Sequence, residues 1–130
     1  AKVALEVKLA PGALTEGDVV EATARVTNTT DTALPTVVAI IGLPGGLEPR
    51  HDQLKELVKQ KAIDAYEVMG REVVLYWRGM TPKEQRRVTL SLVAGVPGRF
   101  TGPASRAYLY YGDEHKTWVA GLGADIAAKN

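Results

Sequence analysis

Apolar and polar residues alternate with a period of two in segment after segment of this chain, the pattern of strands that bury one face and wet the other. Val3, Leu5, Val7 and Leu9 are separated by Ala4, Glu6 and Lys8, and Val20, Ala22, Ala24 and Val26 by Glu21, Thr23 and Arg25. Val73, Leu75 and Trp77 repeat the pattern, as do Val88, Leu90 and Leu92. Turn-forming residues stand between the runs: Pro11-Gly12, Gly17-Asp18, Asn28 to Thr32, Met69-Gly70-Arg71 and Thr81 to Glu84. A chain of 130 residues has enough apolar surface for one good core. The expectation is mainly β: a two-sheet antiparallel β-sandwich of about 7–9 strands, forming a single domain over residues 1–130.

Four segments depart from simple alternation. Thr36 to Ile41 is β-branched and apolar on both parities, which predicts a central strand covered on both sides. Leu43 to Pro49 holds two prolines and two glycines, so an ordered surface loop is expected there. Leu54, Leu57 and Val58 fall at helical spacing after Asp52, a candidate cap, predicting one short α-helix over about residues 52–60 in a crossover. In Arg106 to Tyr111, Ala107, Leu109 and Tyr111 share one parity and Tyr108 and Tyr110 the other. Pro97 to Pro103 reads as a loop, Trp118-Val119 as a last short strand, and Ala127 to Asn130 as a frayed end.

Composition excludes several classes of function. Sixteen Lys plus Arg against fifteen Asp plus Glu give a formal charge of +1, which argues against nucleic acid as a partner. The longest apolar run, Leu34 to Leu43, is far short of the roughly 20 residues of a membrane helix, so no membrane insertion by this segment is expected. Cysteine is absent, which removes disulfides, thiolate metal sites and a Cys nucleophile. Neither His51-Asp52 nor any other pair matches a nucleophile to a base, so the chain is not expected to be an enzyme and no cofactor is implied. Asp113-Glu114-His115 is a run of potential metal ligands, but neighbours on an extended chain point apart, and a solvated loop is the expectation. Asn28-Thr29-Thr30 fits the N-glycosylation pattern in a predicted turn.

The order of several signatures resembles the C-terminal receptor-binding domain of the alpha-2-macroglobulin family of thioester-containing protease traps, in a bacterial-type member. The signatures are Gly42-Leu43-Pro44-Gly45-Gly46-Leu47-Glu48-Pro49, the helix Gln53 to Gln60, and Tyr66-Glu67-Val68. Val26-Thr27-Asn28, Val73-Val74-Leu75-Tyr76, Val96-Pro97-Gly98-Arg99-Phe100 and Pro103-Ala104-Ser105-Arg106-Ala107-Tyr108-Leu109-Tyr110-Tyr111 complete the set. The resemblance implies a piece of a larger, extracellular or periplasmic protein, whose start at Ala1 without a leader fits excision from the C-terminal part of the parent. It implies a non-catalytic domain whose partners are the other domains of that chain, above all the thioester domain. The alternative is a free-standing adhesion or ligand-binding sandwich.

Two sets of residues follow from the resemblance. Receptor engagement in animal members is associated with two lysines four residues apart on the helix. Here one position falls on Lys55 and the other on His51, so the pair is broken, and Lys59 restores a lysine only on the other side. A cell-surface receptor therefore competes with the plainer expectation of a solvated helix face. Aromatic side chains of this domain can cover the thioester in intact members, which points to Tyr108, Tyr110 and Tyr111 as shielding candidates. Alternation should place at least one of these rings in the core, with Tyr110 or Tyr111 the better candidate for exposure.

Overall fold

The computed structural model describes residues 1–130 except the side chains of residues 113 and 114. The described residues form twelve strands and one helix. A four-stranded sheet has the order β1 (Val3–Leu9), β3 (Val19–Asn28), β8 (Gln85–Ala94), β5 (Leu47–Pro49). A five-stranded sheet has the order β11 (Gly112–Val119), β10 (Ser105–Leu109), β4 (Val37–Gly42), β7 (Glu72–Trp77), β6 (Ala65–Met69). Every pairing within these two sheets is antiparallel. The expected sandwich is present, with more strands than the alternation suggested.

The core lies between the two sheets, and the inward parity fills it. Val3, Leu5, Val20, Ala22, Ala24, Val26, Val88, Leu90 and Leu92 come from one sheet. Val37, Ala39, Ile41, Val73, Leu75, Trp77 and Ala107 come from the other. Trp77 is fully enclosed, and its indole Nε1–H donates to the Ala62 carbonyl at 2.8 Å, so its polar atom is satisfied. The central strand β4 is buried along its whole length, as its two-sided apolar sequence predicts. Its outward residues Val38 and Ile40 form a second cluster with Val74, flanked by Tyr76 and Tyr108.

The helix α1 (His51–Lys59) joins edge strand β5 of one sheet to edge strand β6 of the other and closes that side of the sandwich. Its buried Leu54 contributes about 2 kcal/mol of apolar transfer energy. Gln53 seals the crossover by donating to the Thr89 carbonyl at 2.8 Å and accepting from the Ser91 N–H at 3.1 Å. Arg50, not Asp52, occupies the N-cap position, and no side chain caps it. Asp52 sits in the first turn, where its charge faces the positive end of the helix dipole.

A third sheet, β2 (Leu14–Thr15), β12 (Gly123–Ala127) and β9 (Gly98–Thr101), departs from the two-sheet expectation. It gives strands to Gly98–Thr101, inside the segment read as a loop, and to Gly123–Ala127, and of the expected frayed end Ala127 is anchored by the Glu16 N–H at 2.8 Å. The Leu43 to Pro49 segment is also not a surface loop. Leu43, Pro44, Gly46 and Leu47 are buried, and the segment carries the chain from one sheet to the other past Phe100 and Ile126. Gly46 serves close approach, since a Cβ there would lie 2.5 Å from the Phe100 ring, and so does Gly42 at the end of β4, where a Cβ would run into the Pro103 carbonyl oxygen. Gly121 is held as tightly, with a Cβ there only 2.1 Å from the Gly102 oxygen. The Gly42 N–H donates to Ser105 Oγ at 2.9 Å, fixing β4 against the start of β10.

Candidate functional site

Leu109 pairs with Gly112, so Tyr110 and Tyr111 are the two residues of the turn that joins β10 to β11. Neither has a positive φ, so the turn is not of the primed types that best match strand twist. A register shift between Ala107 and Leu109 accommodates it. The turn is tied to the start of β4 by the Tyr110 N–H, which donates to the Thr36 carbonyl at 2.9 Å.

The strand thus ends before the tyrosine pair, and parity no longer decides where those rings point. Tyr110 is 52% exposed and Tyr111 80%. Tyr108 is half-buried on the outer face of the five-stranded sheet, beside Val38, Ile40 and Val74. None of the three lies between the two main sheets, which corrects the expectation of a tyrosine in the core. Ala107 and Leu109 take the inward positions instead.

Exposed as they are, the rings at the turn are ordered by edge-to-face contacts. Tyr110 meets Tyr111 with centroids 4.9 Å apart and planes at 88°, and meets Tyr76 at 6.2 Å and 67°. The Tyr76 hydroxyl donates to Glu67 Oε1 at 2.9 Å. Partial burial, followed by that carboxylate, pushes the Tyr76 phenol up to about 12. A shallow groove runs from the turn past Thr36, Asp64, Ala65 and Arg78.

The same outer face continues along the sheet. Tyr108 lies under the Lys116 ammonium, 4.8 Å from the ring centre. Arg106 stacks over Trp118 at 5.3 Å and pairs with Glu72 at 2.9 Å. The sequence places Glu67 in a family signature and Trp118 in a short strand, but it marks neither of them, nor Tyr76, as a site residue. A signal was available for Tyr76: Val74 and Tyr76 are apolar or aromatic on the parity opposite Val73, Leu75 and Trp77, which marks a second covered face.

His51, Lys55 and Lys59 are all exposed along one stripe of α1, and none joins an ion pair among the described residues. The helix residues and the tyrosine turn remain separate sites on the surface. His115 is exposed within β11 rather than in a loop, and the side chains of Asp113 and Glu114 lie outside the described residues. Among the described residues no cluster of three or more His, Asp or Glu could hold a metal ion, and no helix is long and apolar enough to cross a membrane. Asn28 is fully buried with both Nδ2 hydrogens donated, so it does not offer a glycan acceptor in the folded domain.

Comparison with solved structures places the fold. Trypsin-activated alpha-2-macroglobulin from Escherichia coli superposes with a TM-score of 0.78 at 15% identity, over 98% of this chain and 10% of that one. The Salmonella protein reacted with methylamine gives 0.77 at 14%, over 98% and 9%. Native Escherichia coli alpha-2-macroglobulin, from domain MG7 to the C-terminus, gives 0.76 at 15%, over 98% and 24%. The chain therefore spans about a tenth of the length of the first two structures, and about a quarter of the fragment that runs from domain MG7 to the C-terminus. No curated protein sequence matches it. Residues 2–114 match the model of the bacterial alpha-2-macroglobulin MG10 domain, and with most of its length covered the chain belongs to that family.

Proposed function

We propose that the chain is a non-catalytic interaction domain of a protease-trapping, alpha-2-macroglobulin-like protein of the periplasm or extracellular space. It works by packing against the thioester domain of the same parent, with the turn at Tyr110 and Tyr111 covering the acyl bond. The observation that carries this reading is the turn itself: two adjacent, largely exposed aromatic rings held in edge-to-face order on a sheet end. Exposed rings usually find a partner surface, and aromatic side chains are the commonest anchors of protein interfaces. A pair of rings laid over a hydrolysable bond would exclude the water that attacks it. Family membership and the small share of each relative that the fold occupies support a larger parent.

The test uses the parent chain with Tyr110→Ala and Tyr111→Ala, separately and together. Release of the thioester sulfur is followed with a thiol reagent, with and without methylamine. Faster release by several-fold, greatest in the double variant, is the expected result. Unchanged release, or a parent that forms no thioester, overturns the reading.

The exposed Lys55 and Lys59 beside His51, in no ion pair among the described residues, favour a second role for α1, presentation of lysine side chains to an acidic partner such as a cell-surface receptor. Lys55→Ala with Lys59→Ala should then weaken partner binding in a salt-dependent way. Unchanged binding would leave the stripe as a solvated face.

A further inference from the structure

From the contacts beneath the turn we infer that Glu67 and Tyr76 are positioning residues for Tyr110 and Tyr111, so that the docking tip is set by the neighbouring hairpin β6–β7 as well as by its own. The inference rests on the proposed contact between the turn and the rest of the parent, and it gives a role to the Tyr66-Glu67-Val68 signature.

The turn has little of its own to fix its rings. Its backbone is not a primed hairpin turn, the register slips just before it, and one backbone hydrogen bond reaches Thr36. Tyr111 contacts Tyr110, Tyr110 contacts Tyr76, and Tyr76 is bonded to Glu67, which makes a continuous row from sheet to tip. The inner members of the row are the anchored ones. Tyr76 packs on the cluster of Val38, Ile40 and Val74 and pairs across the ladder with Val38 and Ala65. Glu67 lies opposite Val74 on the edge strand, and its carboxylate chooses one direction for the Tyr76 hydroxyl, hence one edge for Tyr110 to meet. A preformed tip loses less side-chain freedom on docking than a mobile one.

The experiment uses the full parent chain with a photo-crosslinking phenylalanine analogue in place of Tyr111. In the otherwise native protein the analogue should cross-link to a single segment of another domain. Tyr76→Ala should lower that yield by about threefold to tenfold, the range expected for loss of one aromatic contact, and scatter the cross-linked positions. Glu67→Ala should do the same to a lesser extent, while Glu67→Gln, which keeps an acceptor for the hydroxyl, should restore the native pattern. A variant that merely destabilises the domain would shift its urea midpoint without this rescue by Gln. If the native protein gives no cross-link to another domain, the docking reading itself fails. If it does, and Tyr76→Ala and Glu67→Ala leave yield and positions unchanged, docking stands and the positioning role is overturned.

Discussion

Asn28 supports the most quantitative prediction. Its side chain is inaccessible, and all four of its hydrogen-bonding sites are used. Nδ2 donates to the carbonyls of Thr32 at 2.8 Å and Thr81 at 2.9 Å, while Oδ1 accepts from the Thr30 N–H at 2.9 Å and the Thr30 hydroxyl at 2.7 Å. One side chain thus joins the end of β3 to the turn before β8. At roughly 1 kcal/mol net per bond, Asn28→Ala should cost about 4 kcal/mol. That is a large part of the 5–15 kcal/mol typical of a domain, which it leaves marginal.

Asn28→Asp is the sharper probe because it keeps the shape and the two accepted bonds. It turns both donors into a carboxylate oxygen facing two carbonyls, so at pH 7 it should be at least as damaging as Ala. The surroundings disfavour the charged form, which raises the folded-state pKa of the new Asp above its ordinary value of about 3.9. The folded state then binds the proton more readily than the unfolded one, so the variant should recover stability relative to the native sequence as pH falls from 7. Urea unfolding followed by Trp fluorescence at pH 7 and about pH 4.5 reads both effects. A cost under about 1 kcal/mol for Asn28→Asp, or a gap to the native sequence that widens on acidification, would refute the reasoning.

Two further outcomes follow from features already described. Gly42→Ala places a methyl carbon against the backbone of Pro103, which no side-chain rotation relieves, so it should cost at least about 1–3 kcal/mol; an unchanged urea midpoint would refute the close approach. Tyr76 should ionise late in an absorbance titration, near pH 12. Because its folded-state value lies above the ordinary 10.0, its stabilising effect is complete below pH 10 and is lost as pH rises towards 12. Tyr76→Phe should remove that late step, and a titration in which it persists would count against the assignment.

Strands were legible wherever one face is buried, because alternation records a single core. Val20 to Val26 and Val88 to Leu92 are examples, and the two-sided β4 was legible for the same reason. β11 was mostly hidden because Gly112 to Lys116 offers no apolar parity and its exposed Trp118 faces outward. β12 was readable in principle, since Ala124 and Ile126 are buried between exposed Gly123, Asp125 and Ala127, but its length and Gly flank imitate a tail. Punctuation misled at Leu43 to Pro49, where Gly45 and Gly46 make room for the Phe100 and Ile126 side chains rather than mark a solvent loop. In the candidate site the tyrosine pair was visible, but its exposure depends on where β10 stops. Nor could sequence show Glu67 reaching Tyr76, because that contact joins neighbouring strands through a pairing register that alternation alone does not specify.

The third sheet has a consequence for the time course of folding. β12 runs parallel to β2, with Ile126 opposite Leu14 and Ala127 opposite Thr15, while its other edge pairs with β9. During synthesis both halves of the sandwich can assemble while Leu14 and Thr15 still wait for a partner more than a hundred residues downstream. Such distant pairings carry a high loop-closure cost and favour slow folding. Until Gly123 to Ala127 arrives, β2 and β9 present open strand edges, the surfaces on which nascent chains pair with the wrong neighbour. The last few residues of the described chain therefore govern when the domain becomes safe from its own kind.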